Sequence, residues 1–211
     1  MRDEYFNCLI DDFGEATSSI QVPMKIINKW TGILPDILLD YWKSEGWSSY
    51  KNGLFSLVNP DDYEDLLDLW LEGTPFEELD SYHVIAKTGF GKLFIFGENT
   101  GCNTTVTCYI NKIISVKKNR YKKDERRLDL NVKSLITSLS PEDLDIDGED
   151  GEHIFERAVK IHGPLAENEV FGFVPAVILG GAMDVKNIKK MDAHIHLSHL
   201  REFCLPDIFE I

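Results

Sequence analysis

The sequence predicts a mixed α+β protein, an antiparallel β-meander packed with amphipathic helices. Three observations lead there. Apolar residues recur at helical spacing in stretches that end at glycine; short extended runs follow one another between glycine-bearing turns; and 43% of the 211 residues are hydrophobic, enough to bury a sizeable core.

The elements follow in order. Phe6, Leu9, Ile10 and Phe13 mark a short amphipathic helix stopped at Gly14. A polar linker follows. Leu34-Pro35-Asp36 opens a second helix, with Ile37, Leu38, Tyr41 and Trp42 on its apolar face and Gly46 as its cap. Asn52-Gly53 is a tight-turn signal between Trp47-Ser48-Ser49-Tyr50 and the run Leu54 to Val58, which predicts a hairpin. Asn59 and Pro60 then open a helix that stops at Gly73, and its Tyr63, Leu66, Leu67, Trp70 and Leu71 fall on one face. Tyr82 to Thr88 and Leu93 to Phe96 flank Gly89-Phe90-Gly91, and further extended runs lie at Thr105 to Ile110 and Ile113 to Val116.

Lys117 to Arg127 is a dense basic cluster and the expected junction between two parts, residues 1–116 and 128–211, which could also form one compact unit. Beyond it, Val132, Leu135, Ile136 and Leu139 predict a helix facing inward, followed by an acidic loop. Another helix, around Ile154, Phe155, Ala158 and Ile161, ends at Gly163-Pro164. The apolar run Val170 to Gly181 reads as buried core, with the option of sharing a sheet with the earlier strands. A short strand at Ile188 to Met191 and a last helix opened by Asp192 complete the reading.

Composition narrows function. The formal net charge of -14 gives a mean surface field that repels phosphate backbones and anionic membranes, while favouring fast association with a basic partner. The first residues, Met1-Arg2-Asp3-Glu4, do not read as an export signal, and Val170 to Gly181 is shorter than the roughly 20 residues that cross a bilayer. A cytoplasmic location is expected. Cys8, Cys102, Cys108 and Cys204 show no CxxC pairing and read as reduced, mostly buried thiols.

Two acidic surfaces stand out. On the helix from Asn59, Asp61, Asp65, Asp68 and Glu72 align at helical spacing, with Asp62 and Glu64 beside them, and no lysine or arginine occurs from Asp61 to Asp80. Such a stripe is either a solvated face whose first-turn acids complement the helix dipole or a docking surface for a basic partner. The second block holds Asp143, Asp145, Asp147, Glu149, Asp150 and Glu152, with Glu142 and Glu156 at its ends. Its opening matches a calcium loop, but Ile154 stands where a bidentate glutamate is required, so no calcium site is expected.

His194, His196 and His199 would have to converge to hold a metal for an enzyme; on one helix, His194 points away from the other two. Gly89-Phe90-Gly91 and Gly97 to Gly101 join no strand to a helix and read as hairpin turns rather than phosphate loops. No serine or cysteine sits in a nucleophile motif. We therefore expect no catalytic residues, no metal and no cofactor.

Several motifs occur in order: Ile33-Leu34-Pro35-Asp36 with Tyr41-Trp42, Glu45-Gly46-Trp47, Asn52-Gly53-Leu54-Phe55 and Val58-Asn59-Pro60 with Tyr63. These resemble the GAD-like domain. Downstream, Phe90-Gly91-Lys92-Leu93, Phe155-Glu156-Arg157-Ala158, Gly163-Pro164-Leu165, Glu169 to Ala176 and Leu179-Gly180-Gly181 resemble the C-terminal domain of Tdi1-type immunity proteins. The resemblance implies a bacterial cytoplasmic protein that is not an enzyme and that neutralises a cognate type VI secretion toxin, in this family typically a DNase. A non-catalytic regulatory module without a toxin partner is the alternative.

Overall fold

The computed structural model describes residues 2–116 and 125–210. Most of the basic segment, residues 117–124, lies outside the described residues. The elements are α1 (Glu4–Phe13), β1 (Ser18–Ile20), α2 (Met24–Trp30), α3 (Asp36–Glu45), β2 (Trp47–Tyr50), β3 (Phe55–Leu57), α4 (Glu64–Leu71), β4 (Tyr82–Thr88), β5 (Lys92–Gly97), β6 (Gly101–Thr107) and β7 (Lys112–Ser115). There follow α5 (Glu125–Ser138), α6 (Pro141–Leu144), α7 (Phe155–His162), β8 (Glu169–Phe173), β9 (Ile188–Asp192), α8 (Ala193–Phe203) and β10 (Asp207–Glu210).

The fold is α+β, and its centre is an eight-stranded sheet in the order β1-β2-β3-β4-β5-β6-β7-β10. From β1 to β7 it is an antiparallel meander; β10 joins the free side of β7 in parallel, Ile208 opposite Ile113. Side chains alternate across the sheet, so one strand feeds two cores. On β5, Phe94 and Phe96 enter a cluster with Phe6, Leu38 and Val132, whereas Leu93 and Ile95 enter one with Leu66, Trp70 and Leu197. A bulge between Val84 and Ala86 puts Ile85 and Ala86 in the same cluster, because the extra residue resets the alternation.

The first cluster draws on both parts of the chain, from Phe6 to Phe96 and from Leu128 to Ile188. Gly89-Phe90-Gly91 is where they meet. The Phe90 ring lies 5.7 Å from Phe155 and 5.9 Å from Phe173, and the Gly89 carbonyl accepts from the Phe171 amide at 2.7 Å. A Cβ on Gly89 would collide with the edge of the Phe155 ring, which makes glycine the residue this approach requires.

Several expectations needed correcting. The polar linker contains β1 and α2; α2 is seven residues long and contributes Ile27 and Trp30 to the core, too few turns to register as a periodic pattern. The helix expected from Asn59 begins as a 3-10 turn over Pro60–Tyr63, with the Asn59 side chain accepting from the Asp61 amide, and becomes α-helical only at Glu64. Of the run expected to be core, Val170, Phe171 and Phe173 are buried, but Val174 and Leu179 are exposed beyond β8, where Pro175 and Gly180-Gly181 interrupt the strand. The strand β8 pairs with β9 in a separate two-stranded sheet, and β10 is the late segment that joins the main one. Ile161 points out of α7, whose inward face is Phe155 and Ala158. Cys8 and Cys204 are exposed, so only Cys108 is a fully buried thiol, with Cys102 in between.

Candidate partner-binding site

The site is built on α4. Its apolar face, Leu66, Leu67, Trp70 and Leu71, sinks into the second cluster, and the Trp70 indole Nε1 donates to the Leu197 carbonyl at 3.2 Å, fixing α4 to α8. At the C-terminal end the buried Arg201 guanidinium donates to the Glu72 carbonyl at 2.7 Å, a cation at the negative pole of the helix. With one face anchored, the helix backbone that carries the exposed carboxylates of the other face is fixed.

Glu64, Asp68 and Glu72 line one side of a cavity of about 640 Å³. Further carboxylates come from distant positions: Glu77 and Asp80 after α4, and Glu98 in the turn between β5 and β6. Among the described residues no lysine or arginine lines the cavity. Trp30 of α2 with Tyr82 and His83 of β4 supply its aromatic lining, and the Trp30 and His83 rings lie edge to face at 4.8 Å. Trp30 is 5% exposed, and its Nε1 has no hydrogen-bond partner among the described residues.

Some of these carboxylates hold the cleft together. Asp80 accepts from the Asn99 and Thr100 amides at 2.9 and 2.8 Å and so pins the β5–β6 turn. Glu98 meets His83 Nε2 at 3.1 Å, and Glu77 accepts from the Gly73 amide at 2.7 Å. By contrast, Glu64, Asp68 and Glu72 make no side-chain hydrogen bond or ion pair with another described residue.

The stripe read from the sequence is therefore divided. Asp68 and Glu72 line the cleft. Asp65 is exposed but outside it, and Asp61, set off the helical row by the 3-10 turn, pairs with Lys29 at 2.6 Å. The Lys29 ammonium also lies over the Trp30 ring, 5.1 Å from its centre.

The second acidic block is more closely tied to its own surroundings. Asp145 is turned inward, where its Oδ1 accepts from the Ile146 and Phe155 amides at 2.7 and 2.9 Å; burial pushes its pKa upward against those bonds. Asp147 meets His153 at 3.0 Å, Asp150 meets Arg157 at 2.8 Å, and Asp143 accepts from the Ser140 hydroxyl at 2.7 Å. Glu149 and Glu152 remain exposed. On α8, His194 and His199 are exposed, while His196 is half-buried against Gly172 and its pKa is lowered by that burial. Among the described residues no three His, Cys, Asp or Glu side chains converge to hold a metal ion, and no helix is long and apolar enough to cross a membrane.

Sequence reasoning missed Trp30, Tyr82, His83, Glu77, Asp80 and Glu98 as parts of one surface. The signal within reach was the stretch without a basic residue from Asp61 to Asp80, which contains five of the six lining carboxylates.

Residues 4–110 match the family model of the GAD-like domain, and residues 129–203 match that of the T6SS immunity protein Tdi1, C-terminal. The chain belongs to this GAD-like, Tdi1-type immunity family. Together the two models span both parts of the chain, one on each side of the basic segment. A search of curated proteins finds no match. The crystal structure of Atu4351 from Agrobacterium tumefaciens is similar in fold, with a TM-score of 0.83 at 20% identity over 97% of this chain and 92% of that one. A type VI secretion immunity role is what membership of the Tdi1 family supports.

Proposed function

We propose that this protein is a non-catalytic, cytoplasmic immunity protein that binds a cognate type VI secretion toxin, a DNase, and neutralises it by occluding or distorting its active site. Membership of the Tdi1-type family carries the reading. The acidic character of the molecule supports the mechanism. A nuclease needs a basic surface to hold DNA, and a partner with a formal net charge of -14 and carboxylates held on α4 presents the complementary potential. Asp61, Asp65, Asp68 and Glu72, and separately Asp143, Asp147, Glu149, Asp150 and Glu152, are the two docking surfaces proposed; Asp145, expected with the second group, is turned inward and is left out of it.

The test is to establish whether an adjacent gene encodes a nuclease-like toxin and to co-express its product with this protein. The expected outcome is a stable complex that protects the producing cell and whose association rate falls steeply as salt rises. Charge reversal on each acidic surface in turn is expected to weaken binding on at least one of them. Unchanged affinity after both reversals would remove acidic docking and leave immunity standing; failure of the wild type to bind or protect would remove the immunity reading itself.

A further inference from the structure

We infer that the cleft between α4 and the start of β4 is the receptor for an arginine-bearing segment of the toxin, an inference that rests on the immunity reading above. The cavity, about 640 Å³, falls within the roughly 300–1,000 Å³ range of pockets that enclose a ligand. Among the described residues its charge is of one sign: six carboxylates, no lysine and no arginine. Three of them, Glu64, Asp68 and Glu72, have no partner within the described chain while α4 is held rigidly behind them by Trp70 and Arg201. Like charges one helical turn apart repel each other, and a bound cation relieves that repulsion.

The chemistry of the lining selects the cation. A phosphate is repelled by the carboxylates. A metal ion needs ligands converging on one point, and no three candidates do so among the described residues. Spread carboxylates beside an aromatic lining suit a planar guanidinium, which pairs with carboxylates through a fork of N–H groups and stacks on rings. The chain already makes such an arrangement at this place: Lys29 sits 2.6 Å from Asp61 and 5.1 Å from the centre of the Trp30 ring. An incoming arginine would repeat that pairing inside the cleft, with Asp68 or Glu72 as carboxylate and the partly exposed Tyr82 ring as platform, next to the buried Trp30.

Two experiments test this together. In the first, the isosteric variant Glu64→Gln/Asp68→Asn/Glu72→Gln is compared with Asp147→Asn/Glu149→Gln/Glu152→Gln for affinity to the neighbouring toxin, folding being checked by thermal melts. The cleft variant is expected to bind at least tenfold more weakly and with a shallower salt dependence. In the second, the peptide Gly-Arg-Gly-Arg-Gly, its citrulline counterpart, spermidine and magnesium ions are each titrated while the Trp30 indole N–H resonance, assigned with Trp30→Phe, is followed by NMR. Only the arginine peptide is expected to move it, and only in protein with the carboxylates intact. A folded cleft variant that binds toxin as the wild type does would overturn the inference without touching the immunity role. Spermidine or magnesium moving the resonance as strongly as the peptide would also overturn it, making the cleft a site for small cations. Wild-type protein that neither binds nor protects against the toxin would overturn both readings.

Discussion

Lys87 is a lysine placed where charge is costly. It lies on β4, is 1% exposed, and its ammonium donates to the Glu169 carbonyl at 2.8 Å. Burial lowers its pKa to about 8, against the partial support of Glu167 and Glu169. In the unfolded chain the same group holds its proton up to about 10.5. Between those values the unfolded state binds more protons than the native one, so the native state gains stability as pH rises, while below pH 8 the penalty is constant. The thiols of half-buried Cys102, pushed up to about 12, and of buried Cys108 act in the opposite sense above their ordinary value of 9.0, which leaves pH 8 to 9 as the window. We expect denaturant unfolding to show the wild type gaining at most about 1.4 kcal/mol over Lys87→Met across that interval. Loss of the hydrogen bond to Glu169 offsets the variant's curve uniformly; only its slope reports the titration. Parallel curves for the two proteins would refute the assignment.

Elements with their own start and stop signals could be read from the chain alone. Gly14, Gly46 and Gly163 end α1, α3 and α7, and Asp192 caps α8 with its side chain on the Ile195 amide, all as the sequence indicated. The strands β1 and β10 could not be read, because every residue in them is exposed and no apolar alternation exists; only their neighbours, β2 and β7, make them strands. The candidate site divides in the same way. Its α4 carboxylates follow from helical spacing, whereas Trp30 from α2, His83 from β4 and Glu98 from the β5–β6 turn reach the cleft through tertiary packing, which no local window contains. The α4–α8 pair holds the cleft in place, so Arg201→Met is expected to lower stability by about 1.5–3 kcal/mol, since the Glu72 carbonyl loses a charged donor. Thermal unfolding checks the stability, and toxin affinity checks whether α4 has shifted with it.

At the scale of the whole molecule, the two sequence parts are woven into one core. Val132, Ile136, Phe155 and Phe171 from beyond the basic segment share a cluster with Phe6, Phe55 and Phe94 from before it. Residues 1–116 produced alone would leave Phe90 without its three phenylalanine neighbours and β7 without β10. We expect such a fragment to lack a cooperative thermal transition, as followed by near-ultraviolet circular dichroism; a sharp transition would instead mark 1–116 as an independent domain. The placement of β10 also sets an order on the making of the protein. As the chain leaves the ribosome, β1 to β7 can pair one after another, each with the strand just synthesised. The outer edge of β7 has no such neighbour in line and stays open through the next ninety-odd residues, until Asp207–Glu210 returns to occupy it. An unpaired edge is a template for foreign strands, so the nascent chain is exposed to aggregation during that interval, and β10 serves as a clasp on the sheet begun at β1.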